Sequence, residues 1–271
     1  VTSVALVTGA SAGIGEATAR ALAASGDVAV VLVARRESRL RRLAAELGGA
    51  TVIAADLTDP DAPTRIQAAI EREHGALHLL VNNAGASWRG EFGDTGWANV
   101  ERHLRLDFEA PVRLTEALLP LLRATAAAPA GGSERVSIVN VGSTASRIAR
   151  PGAGAYSAAK FALAGWSDAL HAEERVRSIH VGLVLPGFVA TEGFPATELT
   201  ERLATRWIVS RPERVAEAIL QAAGWDGRRP RAERYVPRAY GVLPVLRILA
   251  PGLLRRATRG GAFTTASHPR A

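Results

Sequence analysis

Short runs rich in Val, Ile and Leu alternate along the chain with longer stretches whose apolar positions recur every three or four residues. The runs Val4–Thr8, Val28–Ala34, Thr51–Ala55, Leu77–Asn82, Arg135–Val141, Ile179–Leu185 and Arg234–Pro237 predict strands. They are almost continuously apolar, as strands covered on both faces should be. The stretches Ile14–Ser25, Glu37–Leu47, Pro60–His74, Trp97–Ala127, Gly154–Arg177 and Pro212–Ala223 predict helices. Repeated strand–helix units predict an α/β fold, a doubly wound parallel sheet of about seven strands with helices on both faces. Residues 1–240 form one domain. Phe188–Ser210 is too long for an ordinary connection and reads as a substrate lid. Residues 241–271 read as a basic amphipathic extension.

Composition narrows the chemistry. The chain has 271 residues, 48% of them hydrophobic, which excludes a disordered chain. It has no cysteine. That excludes disulfides, thiolate metal sites and cysteine nucleophiles, and no metal site is read elsewhere. Redox chemistry would need an organic cofactor. The formal charge of +7 is uneven, because residues 228–271 carry ten arginines and a single acid, Glu233. This tail lacks the interleaved aromatics of a nucleic-acid surface, so no nucleic-acid partner is expected. No apolar run is long enough to span a bilayer, and the first residues read as a strand rather than a signal peptide. A cytoplasmic protein is expected.

Lys160 is the single lysine among 33 basic residues. A chain that uses arginine everywhere else keeps a compact ammonium where guanidinium will not serve. Tyr156 lies four residues earlier in a helical pattern, so both side chains share a face. A nearby ammonium favours phenolate and brings the tyrosine pKa toward working pH. Ser143 ends a strand at the ligand-binding edge of the sheet and either orients a carbonyl oxygen or caps a turn. After the first strand, Thr8-Gly9-Ala10-Ser11-Ala12-Gly13-Ile14-Gly15 reads as a phosphate-cradling turn opening a helix, although such a turn can also be merely tight. At the end of the second strand, Ala34 stands where NAD sites place an acid. Arg35 and Arg36 follow and suit a 2′-phosphate, which favours NADP(H).

These motifs, in this order, resemble the short-chain dehydrogenase/reductase family over Val4 to about Tyr240. The resemblance implies a Rossmann-type fold. It makes Gly9, Ser11, Gly13, Ile14 and Gly15 part of the cofactor turn and Asp56-Leu57 the adenine-contacting pair. It makes Asn82-Asn83-Ala84-Gly85 the NNAG motif, with Asn83 near the cofactor ribose. Pro186, Gly187, Val189 and Thr191 look like the segment touching nicotinamide and pyrophosphate. Ser143, Tyr156 and Lys160 match the catalytic set, Lys160 also binding the nicotinamide ribose. Asp107, in Leu106-Asp107-Phe108-Glu109-Ala110, stands where the family usually has a catalytic asparagine that holds a helix distortion and a water relay.

The expected activity is an NADP(H)-dependent carbonyl reductase or alcohol dehydrogenase acting on an apolar substrate. The lid residues Phe188, Phe194, Leu199, Leu203, Trp207 and Ile208 are expected to supply the apolar wall. The layout is similar to that of reductases of 3-oxoacyl lipids or polyketides. The alternative is a catalytically silent cofactor-binding regulator or scaffold. An epimerase of the extended branch is disfavoured by the glycine spacing and the length. The resemblance implies a homodimer or homotetramer, with Trp97–Ala127 and Gly154–Arg177 at the interface. The extension's leucines are expected to pack beside the lid. Contact with a membrane surface is the less favoured reading.

Overall fold

The computed structural model describes residues 3–128, 135–192 and 209–259. The strands are β1 (Ser3–Thr8), β2 (Val28–Ala34), β3 (Thr51–Ala54), β4 (Leu79–Asn82), β5 (Ser137–Val141), β6 (His180–Pro186), β7 (Phe188–Val189), β8 (Val209–Ser210) and β9 (Glu233–Val236). The helices of the domain are α1 (Gly13–Ala24), α2 (Glu37–Glu46), α3 (Ala62–Glu73), α4 (Phe92–Leu104), α5 (Ala110–Ala127), α6 (Gly154–Arg175) and α7 (Pro212–Ala223). The extension forms α8 (Val242–Leu249) and α9 (Pro251–Arg259).

Seven strands make one parallel sheet in the order β3-β2-β1-β4-β5-β6-β9. Alternation along β1 sends Val4 and Leu6 into one layer and Ala5 and Val7 into the other. The first layer packs under α3 and α5 through Ile66, Ile70, Leu114 and Leu118. The second packs under α1, α2 and α7 through Leu22, Leu40, Val215 and Ile219. Both faces are therefore covered, which is why the strand sequences show so little polar alternation. The chain order reverses between β1 and β4, and their carboxyl ends flank the crevice where doubly wound sheets bind ligands.

The long helix, two strands and the lid base differ from expectation. The long helix expected at Trp97–Ala127 is three pieces: α4 begins earlier, at Phe92, a π-helical turn occupies Arg105–Glu109, and α5 follows. α4 is itself kinked at Gly96, whose φ of 57° suits a residue without Cβ. Strands β4 and β5 start two residues late. The Leu77 N–H is taken by the Thr125 hydroxyl at 3.1 Å, and the Arg135 carbonyl by the Trp225 indole at 3.1 Å. The lid's base is a short parallel pair, with Phe188 opposite Val209. Phe194, Leu199, Leu203, Trp207 and Ile208 lie outside the described residues.

The extension also departs from expectation. Pro244 is tolerated in the first turn of α8, where its missing N–H has no partner to lose. The break falls at Ala250, before Pro251. Arg247 folds back, donating to the Arg147 carbonyl at 2.8 Å and lying 4.5 Å above the Phe161 ring. Leu243 and Leu254 are half-buried, but most of the apolar residues are left outside. Ile248 and Leu249 are 78% and 76% exposed, Leu253 is 65% exposed, and Val242, Val245 and Leu246 are also exposed. The lid residues that the leucines were expected to pack beside lie outside the described residues.

Candidate active site

Thr8, at the end of β1, organises the crevice. Its hydroxyl accepts the N–H groups of Asn83 and Ala84 at 2.9 Å each, and its carbonyl accepts from the Asn83 amide at 2.8 Å. These bonds lock the turn after β4 onto the turn after β1. Gly13 has φ of 58°, and a Cβ on Gly15 would strike the Gly9 carbonyl. The turn thus needs glycine at both positions. The N-terminus of α1 begins from an extended Ala12, and no side chain caps it. Its free N–H groups and positive dipole end face a groove of about 520 Å³. Gly9, Ser11, Gly13, Ile14, Arg35, Arg36, Asp56, Leu57, Asn83 and Thr191 all line that groove. The residues expected to hold the cofactor's nucleotide portion are therefore gathered in one place.

Two details there were not anticipated. Burial alone would raise the Asp56 pKa, but hydrogen bonds from the Thr58 N–H and hydroxyl outweigh it, with help from Arg35, and hold it low. Arg35 lies 3.7 Å from Asp56. Arg36 donates to the Ser11 hydroxyl at 3.2 Å and pairs with Glu192 at 3.2 Å, and Arg39 also donates to Glu192, at 3.1 Å. Hydrogen bonds from Arg39 and Arg36 pull the Glu192 pKa down to about 2. A carboxylate from the lid's first turn thus sits on the guanidiniums at the edge of the groove. Arg39 follows Arg36 by three residues, one helical turn, which was the available signal. Glu192 gave none.

The catalytic candidates meet at the carboxyl end of β5. Of the two readings of Ser143, the turn cap is seen directly. Its hydroxyl caps the short turn Thr144–Ser146 by accepting the Ala145 N–H at 3.1 Å, and it also hydrogen-bonds Tyr156. Tyr156 and Lys160 sit one turn apart on α6, with the ammonium 5.8 Å from the phenol ring centre. Lys160 is buried. Its Nζ donates to the Val141 carbonyl at 3.0 Å and lies 3.3 Å from the Asp107 carboxylate. Asp107 comes from the π turn, whose extra residue re-aims the side chain inward. It accepts the Ala86 N–H at 3.3 Å. A Cβ on Gly85 would collide with it, so Gly85 of the NNAG motif is what lets the carboxylate reach the lysine.

Burial would lower the Lys160 pKa, but the adjacent Asp107 charge outweighs it and holds the ammonium protonated. Burial raises Asp107, against the pull of Lys160. For Tyr156 the expectation of a depressed pKa is not met. Burial, reinforced by the negative Asp107, outweighs the ammonium, and the phenol is raised. His103 was also missed. It is fully buried four residues before Asp107, accepts the Trp88 N–H at Nε2 and packs edge-on against Tyr156 at 5.9 Å. Pro186 enters the site through its carbonyl, 3.5 Å from the Ser143 hydroxyl, and Gly187 gives room to the Tyr240 ring. Val189 is buried at the lid base.

A family model described as short chain dehydrogenase matches residues 3–202. The chain belongs to the short-chain dehydrogenase/reductase family. It is 30% identical over 272 residues to mouse dehydrogenase/reductase SDR family member 7B, covering 94% of this chain and 79% of that protein. A short-chain dehydrogenase from Streptomyces avermitilis superposes with a TM-score of 0.74 at 30% identity, over 97% of this chain and 99% of that one. A metagenomic short-chain oxidoreductase in complex with NADP superposes with a TM-score of 0.71 at 29% identity, over 86% and 96%. Oxidoreductase chemistry with a nicotinamide cofactor follows from the family. The groove fits such a cofactor on its own geometry, with glycines where a Cβ would intrude and an uncapped helix N-terminus facing it.

Proposed function

We propose that this family member is an NADP(H)-dependent carbonyl reductase or alcohol dehydrogenase with a substrate that is apolar in part. The observation that carries the reading is the meeting of Ser143, Tyr156 and Lys160 at the sheet edge beside the groove. The nicotinamide, when bound, supplies or accepts the hydride. The Ser143 hydroxyl orients the substrate oxygen. Tyr156 gives that oxygen a proton in reduction and takes one in oxidation. Lys160, kept charged by Asp107 and fixed by the Val141 carbonyl, stabilises the phenolate left behind and reaches the nicotinamide ribose. Asp107 is a positioning residue for the lysine. Pro186, Gly187, Val189 and Thr191 border the nicotinamide end. A silent scaffold would have no use for this set.

Arg36, bonded to Ser11, and Arg35, both lining the groove, support NADP(H) over NAD. Exposed Phe92 and Trp97 on α4 support a homodimer or homotetramer built on that helix and its neighbours. Among the described residues no helix is long and apolar enough to cross a membrane. The exposed apolar face of α8 and α9, flanked by arginines, supports peripheral contact with an anionic membrane surface.

Transfer of isotope from labelled NADPH to a ketone or aldehyde panel tests the activity. Tyr156→Phe tests the mechanism, since it removes the proton and little volume. The expected loss in kcat is about 10²–10⁴-fold with NADPH binding retained. Near-full turnover by the variant would overturn the assignment.

A further inference from the structure

The loop after α7 gathers positive charge for which cofactor binding and catalysis have no use. Its Arg228-Arg229-Pro230-Arg231 is followed by Arg234 on β9 and by Arg238 in the turn after that strand. Arginines are mostly solvated surface residues. Here the chain folds them around a hollow. Asp226 accepts the Arg228 N–H at 3.1 Å, and the Arg231 N–H donates to the Ala222 carbonyl at 3.3 Å, which curls the loop back onto the end of α7. Arg228, Arg229, Arg231, Arg234 and Arg238 all line one cavity of about 300 Å³. No residue of the cofactor groove lines it, and neither do Ser143, Tyr156 and Lys160.

Two local partners would absorb this charge, and both are already taken. Asp226 is the one acid in the lining, and it pairs with Arg228 at 3.7 Å. The carbonyls at the end of α7 attract cations. Those of Leu220, Gln221 and Ala222 accept the Trp225, Gly224 and Arg231 N–H groups, and that of Ala223 accepts the Ser137 hydroxyl. Arg234 donates to the neutral Gln221 amide oxygen, and its Nε is enclosed with no partner among the described residues. Burial lowers the Arg234 pKa, and the Arg238, Arg231 and Arg228 charges lower it further, against the pull of Asp226. Gathering guanidiniums partly out of water costs free energy that a bound anion offsets. A carboxylate brings one charge to these five forks. A phosphate brings up to two, with several oxygens that guanidinium pairs with well.

We infer that this cavity is a second anion site, built for a phosphate group and separate from the cofactor groove. A soluble phosphate compound or the headgroup phosphate of a lipid supplies that chemistry. Position favours the lipid source, because the turn that carries Arg238 runs directly into α8, whose Val242 and Val245 are exposed. No catalytic residue takes part, so the site stands or falls apart from the oxidoreductase reading.

Calorimetric titration of the full chain with pyrophosphate and with sn-glycerol 3-phosphate, under saturating NADP⁺, tests the soluble source. Co-sedimentation with phosphatidylglycerol vesicles tests the lipid source. Arg231→Gln/Arg238→Gln removes two exposed guanidiniums from the cavity, so the fold should stand. Arg65→Gln/Arg72→Gln removes the same charge from α3 and serves as the control. The wild type is expected to bind at least one of the three probes. The cavity variant should weaken that binding about tenfold or more, the scale of a charge-assisted hydrogen bond, while the control changes it little. Loss of soluble-probe affinity alone in the cavity variant assigns a soluble ligand. Selective loss of vesicle binding assigns a lipid headgroup. Equal losses in the two double variants reduce the effect to overall charge and overturn the site. So does the absence of binding by every probe, or binding that the cavity variant leaves intact.

Discussion

Asp107 is buried against Lys160 with its Oδ2 atom unpartnered among the described residues. Its charge acts on Tyr156 in the opposite sense to the lysine. Removing it while keeping the shape should therefore favour the phenolate. In Asp107→Asn, the limb of the pH–rate profile governed by Tyr156 should move to lower pH, most visibly in alcohol oxidation. A limb that stays put or moves upward would show that the carboxylate does not set the tyrosine's ionisation. Glu192 offers a second residue-scale prediction. Its carboxylate occupies Arg36, one of the two arginines read as partners of the 2′-phosphate, together with the neighbouring Arg39. Glu192→Gln should tighten NADPH binding severalfold and leave NADH binding unchanged, measured by fluorescence titration. Equal effects on both cofactors would mean that Glu192 does not compete with the phosphate. The catalytic set and the glycine turn were legible in the sequence because each role demands one residue type at one spacing. Glu192 and His103 were not, since they reach the site through contacts whose approach no local pattern encodes. The sign of the Tyr156 shift was also hidden, because it depends on burial and on a carboxylate forty-nine positions away.

Among the elements, strand and helix types were legible and boundaries less so. Seven apolar runs became the seven strands of the sheet because strands buried on both faces leave a strong signature. The break between α4 and α5 left none in composition, since a π turn inserts a residue without changing the local composition of Arg105–Glu109; only the family resemblance at Asp107 implied a helix distortion there. Helices α5 and α6 are joined by a pair of a different kind. The buried Glu174 carboxylate receives Arg123 Nε at 3.0 Å, and the Glu174 carbonyl accepts the Ile179 N–H that starts the approach to β6. The hydrogen bond from Arg123 depresses the Glu174 pKa, against burial. A depressed carboxylate adds stability above its unfolded pKa and loses it as pH falls through the folded one. Glu174→Gln should therefore cost about 1–3 kcal/mol at pH 7 by urea denaturation, the range for a charged hydrogen bond. The cost should shrink toward zero as the pH is lowered below the normal carboxylate range. A cost independent of pH would assign the effect to packing instead.

At the scale of the whole molecule, charge and apolar surface are segregated toward one end. The rest of the chain is close to neutral and slightly acidic, while the ten arginines and single acid of residues 228–271 carry more than the whole net positive charge. The same region leaves Ile248, Leu249 and Leu253 largely in water. Scattered exposed apolars are ordinary, but a group on two consecutive short helices among arginines marks a contact surface. Neither helix is long enough to span a bilayer, so an interfacial position is the one open to them. Each basic residue near an anionic surface adds about 1 kcal/mol, and the apolar side chains add their own burial. The intact protein is expected to co-sediment with phosphatidylglycerol-containing vesicles at low salt. Binding should weaken at high salt and be absent with phosphatidylcholine alone. Deleting residues 242–271, which leaves Tyr240 against Gly187, should abolish the sedimentation. If the intact chain ignores anionic vesicles, or if deletion instead reduces the number of subunits seen by light scattering, the face serves another copy of the chain and not a lipid surface.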